Sequence, residues 1–282
     1  MSLTLDTNRQ HLNVSGYRFV ELSDLEPLRD SLRQQLNDLG VKGTILLAEE
    51  GINVALSGTE RQISEARQVL NAVPALKDLW LKESYSRILA FSKMKVRIRP
   101  EIITFDPQTR FSDKQRAAAP SIPPTQVKQW LDEGHEFTLL DTRNRYEVAS
   151  GTFATAVNLD LEHFRDFAAS VDQAIEAGTI NTDLPVVTFC TGGIRCEKAA
   201  PFMKERGFKE VYQIEGGVLN YFEQCQSAHW QGDCFVFDDR VEIDANLAPT
   251  DAYICRRCHL AFDDGDSCGC SEGPLIDPHM NR

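Results

Sequence analysis

The stretch FCTGGIRCEKAAPF, residues 189–202, sets Cys190 at the end of an apolar run. Thr191, Gly192, Gly193, Ile194 and Arg195 follow it, and then a second cysteine, Cys196. A thiol placed between a strand and a helix meets converging loop amides, and the two glycines permit the positive-φ backbone that an anion nest uses. A helix starting near Arg195 adds its positive end. Cysteines in such surroundings titrate at roughly 3.5–7.5 instead of about 8.5. Cys190 is therefore expected as a presented thiolate, acting as a nucleophile or carrying an anionic adduct on sulfur. Packing alone gives no reason for two glycines and an arginine directly after a core cysteine.

A phosphate-clamping loop of the form Cys-x5-Arg is one residue longer. Its arginine position falls here on Cys196, and the arginine arrives early as Arg195. The shorter loop suits sulfur better than a tetrahedral phosphate, which disfavours a phosphatase. Cys196 has two readings. It is a resolving thiol that closes a disulfide onto an oxidised or persulfurated Cys190, or a small residue packing the first helical turn.

Two further clusters stand apart from this loop. In KMKVRIR (93–99), Lys93, Lys95, Arg97 and Arg99 alternate with Met94, Val96 and Ile98. On a strand this puts four cations on one face and three apolar residues on the other. That face is a phosphate-tracking stripe for RNA, or a solvated sheet face; the mutual repulsion of four like charges favours the stripe. In CRRCHLAFDDGDSCGC (255–270), Cys255 and Cys258 form a C-x2-C pair, and Cys268 and Cys270 a C-x-C pair. Two close pairs are the pattern of a small tetrahedral zinc site, with His259 as a substitute ligand; free thiols are the alternative. Cys225 and Cys234 have no partner spacing and are read as structural. The isolated His135, His163 and His229 are read as surface or capping residues.

The bulk properties bound these readings. A chain of 282 residues suggests two domains, and 42% hydrophobic with 26% charged residues is ordinary globular composition. The net charge of −12 argues against blanket nucleic-acid binding but not against a local basic patch. No apolar run is long enough to span a membrane, and no basic region followed by an apolar one marks a secretory signal. The expected compartment is the cytoplasm, where eight cysteines point to catalysis or metal binding and not to disulfides.

The elements that must position these residues fall into two sets. Residues 1–105 hold an α/β unit in the order βαββαβ. Leu25, Leu28, Leu32, Leu36 and Leu39 line one face of the first helix, and Thr59 caps the second. The order is that of a ferredoxin-like fold. Residues 106–124, polar and with four prolines, read as a linker. In 125–225 strands alternate with helices. FTLLDTR (137–143) and LPVVTFC (184–190) are continuous apolar runs of the kind that fill a buried parallel sheet. Sites in such sheets lie at the carboxyl ends of strands, where Cys190 falls. Residues 226–282 read as an irregular, cysteine-bearing tail.

LLDTRNRYEVASGTF (139–153) is similar to the rhodanese signature Asp-x-Arg-x3-Glu-x3-Gly, met by Asp141, Arg143, Glu147 and Gly151. GFKEVYQIEGGVLNY (207–221) looks like the closing rhodanese motif. With GTILLAEEGINVALSG (43–58), FSKMKVRIRPEII (91–103) and CTGGIRCEKA (190–199), the chain resembles the rhodanese-related tRNA uridine hydroxylase family over nearly its whole length. The resemblance implies an acylphosphatase-like (ferredoxin-like) α+β domain, a rhodanese-like α/β domain with a parallel sheet, and a cysteine-containing tail. It implies oxygen-dependent hydroxylation of C5 of the wobble uridine, with tRNA as partner, molecular oxygen as co-substrate and Cys190 as the active cysteine. Asp141 and Arg143 become supporting residues, and no obligate protein partner is evident. Val54 departs from the family's usual glycine in EGIN-G, which is expected to alter a turn and not the chemistry.

No flavin or nicotinamide fingerprint and no iron-binding triad is visible in the sequence. Two routes remain open at this stage. The thiolate adds to C6 of uracil and activates C5, or an oxidised Cys190 takes part directly. The main alternative function is a sulfurtransferase carrying a persulfide on Cys190. A third is an RNA-binding or sulfur-relay adaptor with a vestigial loop.

Overall fold

The protein is described by a computed structural model over residues 10–106, 109–263, 268 and 270. The remaining parts of the expected N-terminal domain, linker and tail lie outside the described residues. The chain divides after Ile103 into two compact units, each taken here by itself.

The first unit runs β1 (His11–Phe19), α1 (Leu25–Asp38), β2 (Lys42–Ala48), β3 (Gly51–Gly58), α2 (Glu60–Asn71), β4 (Lys82–Ser86) and β5 (Met94–Ile98). The sheet order is β4-β1-β3-β2-β5. The first four strands are antiparallel throughout, and β5 adds in parallel to β2 at the edge. This is the expected ferredoxin-like arrangement with one strand more. Leu32 and Leu36 of α1 are buried against Ile45, Ile52 and Val54 of the sheet, with Leu25, Leu28 and Leu39 packed on the same core. The Thr59 hydroxyl accepts from the Gln62 amide at 3.3 Å, and the Gln62 side chain accepts in return from the Thr59 amide at 2.8 Å. That reciprocal cap begins α2.

The EEGIN segment does its work here. Glu50 accepts from the Ile102 amide at 2.9 Å, and the Asn53 amide group donates to the Ile102 carbonyl at 3.3 Å. The two side chains thus hold the stretch after β5. Val54 is wholly buried in the middle of β3, opposite Gly16 and Ile45. No turn lies there, so the expectation of an altered turn is corrected: the valine fills core volume.

The second unit contains α3 (Asp113–Ala117), β6 (Ser121–Ile122), α4 (Pro124–Glu133), β7 (Thr138–Asp141), α5 (Arg145–Ser150), β8 (Gly151–Phe153), β9 (Val157–Asn158), α6 (Phe167–Glu176), β10 (Val186–Phe189), α7 (Cys196–Glu205), β11 (Val211–Ile214) and α8 (Gly217–Cys225). Its sheet, β6-β11-β10-β7-β9, is parallel in every pairing. The central strand β10 is buried at all four positions, as its unbroken apolar run requires. Helix α4 packs with α8, while α3 and α6 pack with α7.

Two expectations change. The stretch read as a linker carries α3 and the edge strand β6. Its Phe111, with Phe105 just before it, is buried, and Phe105 packs against Phe164, Phe167 and Phe202. Prolines and polar residues hid two aromatic anchors. The tail is not irregular either. It forms β12 (Trp230–Gly232), which pairs with β8, and the hairpins β13 (Cys234–Phe235) with β14 (Glu242–Ile243) and β15 (Tyr253–Ile254) with β16 (Ala261–Phe262). Trp230, Cys234, Val236 and Ile243 join the same hydrophobic core as α4 and α8. Among the described residues no helix is long and apolar enough to cross a membrane.

Candidate active site

Strand β10 delivers Cys190 to the carboxyl edge of the parallel sheet, and α7 begins six residues later. The Gly193 amide donates to the Cys190 sulfur at 3.1 Å, and the Arg195 amide also donates to it. Of the two loop glycines only Gly193 has a positive φ, of 97°. The expectation that both use that freedom is corrected. A second helix closes the loop from above. The amides of Val218 and Leu219, in the first turn of α8, donate to the carbonyls of Cys190 and Thr191 at 3.0 and 3.1 Å. Gly217 sits so near that a Cβ there would lie 2.3 Å from the Cys190 carbonyl oxygen. The EGG of the closing motif is thus a clasp on the loop.

The thiol itself is wholly buried, not presented to solvent as expected. Burial alone pushes a thiol up. Here the Cys196 hydrogen bond, the Arg195 charge and the amides of Arg195 and Gly193 outweigh it, and Cys190 is brought down to about 5. Cys196 moves the opposite way, well above the ordinary thiol range, because of its own burial and the neighbouring Cys190. The Thr142 hydroxyl lies 3.9 Å from the Cys196 sulfur. The pair holds one thiolate and one thiol.

Arg195 is held by a residue whose role the sequence did not disclose. Its two terminal nitrogens donate to Glu147 at 2.6 and 2.7 Å, both side chains being at most 5% exposed. Glu147 also accepts from the Asn144 amide at 3.0 Å and the Thr191 hydroxyl at 3.3 Å, so both oxygens are satisfied. The guanidinium is left with its charge facing Cys190, to which it donates a further hydrogen bond. The only signal in the sequence was the place of Glu147 in the signature, three residues after Asn144, where it completes the cap of α5.

Asp141 and Arg143 form a second buried pair. Asp141 accepts from the Arg143 side chain at 2.8 Å and from the Thr152 hydroxyl at 2.8 Å. Arg143 donates onward to the carbonyls of Glu147 and Gly151 at 3.2 and 2.5 Å. The pair thus braces the turn from β7 through α5 to β8, the helix that carries Glu147. The Arg143 guanidinium lies 5.0 Å from the ring centre of Trp230.

Residues 11–102 match the model of the UPF0176 acylphosphatase-like domain, and residues 123–224 that of the rhodanese-like domain. The tRNA uridine(34) hydroxylase of Cupriavidus metallidurans is 45% identical over 258 residues, covering 88% of each chain. That of Thiobacillus denitrificans is 44% identical over 244 residues, covering 84% of this chain and 96% of its own. The chain belongs to the tRNA uridine(34) hydroxylase family. As in the resemblance drawn from its motifs, this family member joins an acylphosphatase-like domain to a rhodanese-like one.

Its other singled-out residues fall in two places. In the first unit, Lys93, Lys95, Arg97 and Arg99 are all exposed, while Met94 and Val96 between them are buried. Among the described residues none of the four cations is in an ion pair. In the second unit, the sulfurs of Cys255, Cys258, Cys268 and Cys270 all lie within 4.8 Å of one another. His259 is not among them; its ring tilts against Tyr146 of α5. Cys234 is buried and, by that burial, pushed up to about 12, so it stays a neutral thiol. His229 pairs with Asp132 at 2.7 Å, and His135 lies beside Glu133, both at the surface.

Proposed function

We propose that this chain hydroxylates C5 of the wobble uridine of tRNA, with Cys190 as the catalytic residue in the anion-binding loop Thr191, Gly192, Gly193, Ile194 and Arg195. The observation that carries the reading is the membership of a family named for that reaction, joined to a thiolate built at the expected position. The chemistry is that of an oxidoreductase of the monooxygenase type, working in the cytoplasm. One atom of molecular oxygen enters C5, and the other leaves as water with two electrons and two protons from a reductant.

The thiolate adds to C6 of uracil, leaving C5 enolate-like and open to the oxidant, and is expelled as the C5–C6 double bond re-forms. Because Cys190 is fully covered, this route requires the loop to open on RNA. Arg195, Asp141 and Arg143 act on the thiol's position and charge, and Cys196 keeps a proton within hydrogen-bond reach of it. Trapping a covalent adduct with a 5-fluorinated uridine in the tRNA supports addition at C6. Wild-type levels of hydroxylation in Cys190→Ser overturn a catalytic role for the residue.

Lys93, Lys95, Arg97 and Arg99 contact tRNA phosphates from the exposed face of β5. Reversing Lys95 and Arg97 to glutamate weakens tRNA binding and flattens the slope of log affinity against log salt by about 2. Unchanged binding rejects that role. The four clustered cysteines hold a structural zinc ion. A tetrahedral Zn–S site with bonds of about 2.3 Å sets its sulfurs about 3.8 Å apart, and Cys255 and Cys270 are already at 4.0 Å. The decisive experiment is mass spectrometry of tRNA nucleosides with and without the protein. Loss of 5-hydroxyuridine derivatives supports the hydroxylase; loss of thiolated uridines instead indicates a persulfide carrier.

A further inference from the structure

Among the described residues three large apolar side chains are exposed, Trp80, Leu89 and Phe237, and Phe237 is the most exposed at 61%. It lies in the connection between β13 and β14, well outside the loop motifs. Yet the Arg195 guanidinium sits 5.8 Å from the centre of its ring. Phe237 therefore stands at the rim of the Cys190 loop, over the group that hydrogen-bonds the thiol. An exposed phenylalanine gives up the favourable burial its ring would have in a core.

The connection that carries it is held firmly. The Val236 amide donates to the Val241 carbonyl at 2.8 Å, and the Val241 amide to the Asp238 carbonyl at 3.1 Å. Arg240 binds the Asp238 carboxylate through two nitrogens at 2.8 and 2.6 Å. The base of the ring is wedged against Phe235, with centroids 5.4 Å apart, and against Tyr146 at 6.5 Å. The ring is thus positioned in advance, and the carboxylate next to it is neutralised by Arg240.

We infer that Phe237 is the stacking platform for the target base, a pyrimidine splayed out of the RNA and laid against the ring beside Arg195. The inference rests on the reading of this loop as the uridine site. Splayed single-stranded bases are commonly held by stacking on aromatic side chains while their edges are read. A phosphate site is the poorer description of this rim, since the Arg195 guanidinium is already committed to Glu147 and Cys190 and Arg240 to Asp238. A flat apolar ring beside an anion-activating arginine fits a neutral base instead.

Stacking on one aromatic side chain is worth about 1–3 kcal/mol per base by alanine substitution. Phe237→Ala is therefore expected to lower kcat/KM for tRNA by roughly 5–150-fold, with the loss chiefly in KM. Phe237→Tyr and Phe237→Trp keep most of it, whereas Phe237→Leu, apolar but without a π face, behaves like alanine. The full-length variants are compared by complementing a bacterial strain that lacks its own enzyme, reading 5-hydroxyuridine derivatives by mass spectrometry, and by binding of unmodified tRNA. Binding to Phe237→Trp should quench the added indole. Thermal unfolding of the alanine variant shifts by only a few degrees, because most of the side chain is in water and only its base touches Phe235 and Tyr146. If wild type hydroxylates and Phe237→Ala matches it, or if leucine replaces phenylalanine without loss, the stacking role is overturned while the loop's function stands. If wild type itself fails to restore the modification, the functional reading fails first.

Discussion

The Arg195–Glu147 pair gives the sharpest test of how the loop is held. Its two N–O contacts of 2.6 and 2.7 Å lie at under 6% side-chain exposure. Charges about 4 Å apart attract by about 4 kcal/mol at an effective dielectric constant of about 20. Removing one member of such a pair strands the other and costs about 3–5 kcal/mol. Arg195→Gln and Glu147→Gln should each destabilise the second unit by that amount, lowering its melting temperature by roughly 10 °C. The double variant leaves two neutral amides in place of two charges. It should recover at least half the summed loss, giving a coupling energy of about 3 kcal/mol or more. Tryptophan fluorescence in a denaturant titration reads this well, since Trp130 and Trp230 both belong to the second unit. Additive losses in the double variant would refute the argument, as would singles within about 1 kcal/mol of wild type. Arg195→Gln should also raise the Cys190 midpoint from about 5, because it removes the cation beside the thiolate.

Three further outcomes follow from the geometry. The thiolate absorbance of wild type minus Cys190→Ser should grow through pH about 5. Since this midpoint is depressed, the thiolate's contribution to stability is full above the ordinary thiol range of about 8.5 and is lost as pH falls through the folded value. A difference midpoint near the ordinary range contradicts the anion nest. Metal analysis of purified protein should find about one zinc per chain, lost in Cys258→Ser or Cys268→Ser; metal-free wild type with intact thiols removes the assignment. Gly217→Ala should cost more than about 2 kcal/mol or prevent folding of the second unit. Its φ is +69° and the added carbon would meet the Cys190 carbonyl at 2.3 Å. Unfolding at wild-type denaturant concentration would show that the clasp is slack.

How much of this was legible beforehand depended on whether the signal was local. Cys190, its loop and the strand before it were readable because an apolar run, a glycine turn and a helix start are contiguous. The ferredoxin-like order followed from periodicity, and the alternation in 93–99 translated directly into exposed cations over buried Met94 and Val96. The two-residue edge strands β6 and β9 were not separable from loop, being too short to alternate. Glu147 was visible as a motif letter, but its bond to Arg195 spans 48 positions and only the fold brings them together. Phe111 looked like a stray in a polar linker, and Phe105 like the last residue of the domain before it. Trp230 and Phe237 looked like residues of an irregular tail. Long-range aromatic packing leaves no local pattern, so the tail's part in the core and at the loop rim was hidden. The burial of Cys190 was hidden for the same reason, since α8, which closes on its loop, begins 27 residues further along the chain.

The clasp of α8 on the loop also has a bearing on synthesis. A chain emerging from the ribosome exposes Cys190 long before Gly217, Val218 and Leu219, and longer still before Trp230 and Phe237. Until those segments arrive, the carbonyls of Cys190 and Thr191 lack the α8 amides that hold them, and only the local chain keeps the Gly193 and Arg195 amides on the sulfur. A chain that stops short of α8 should therefore hold this loop, and with it the thiolate, less firmly. The fully clasped loop forms only once α8, in the last quarter of the chain, has docked on it.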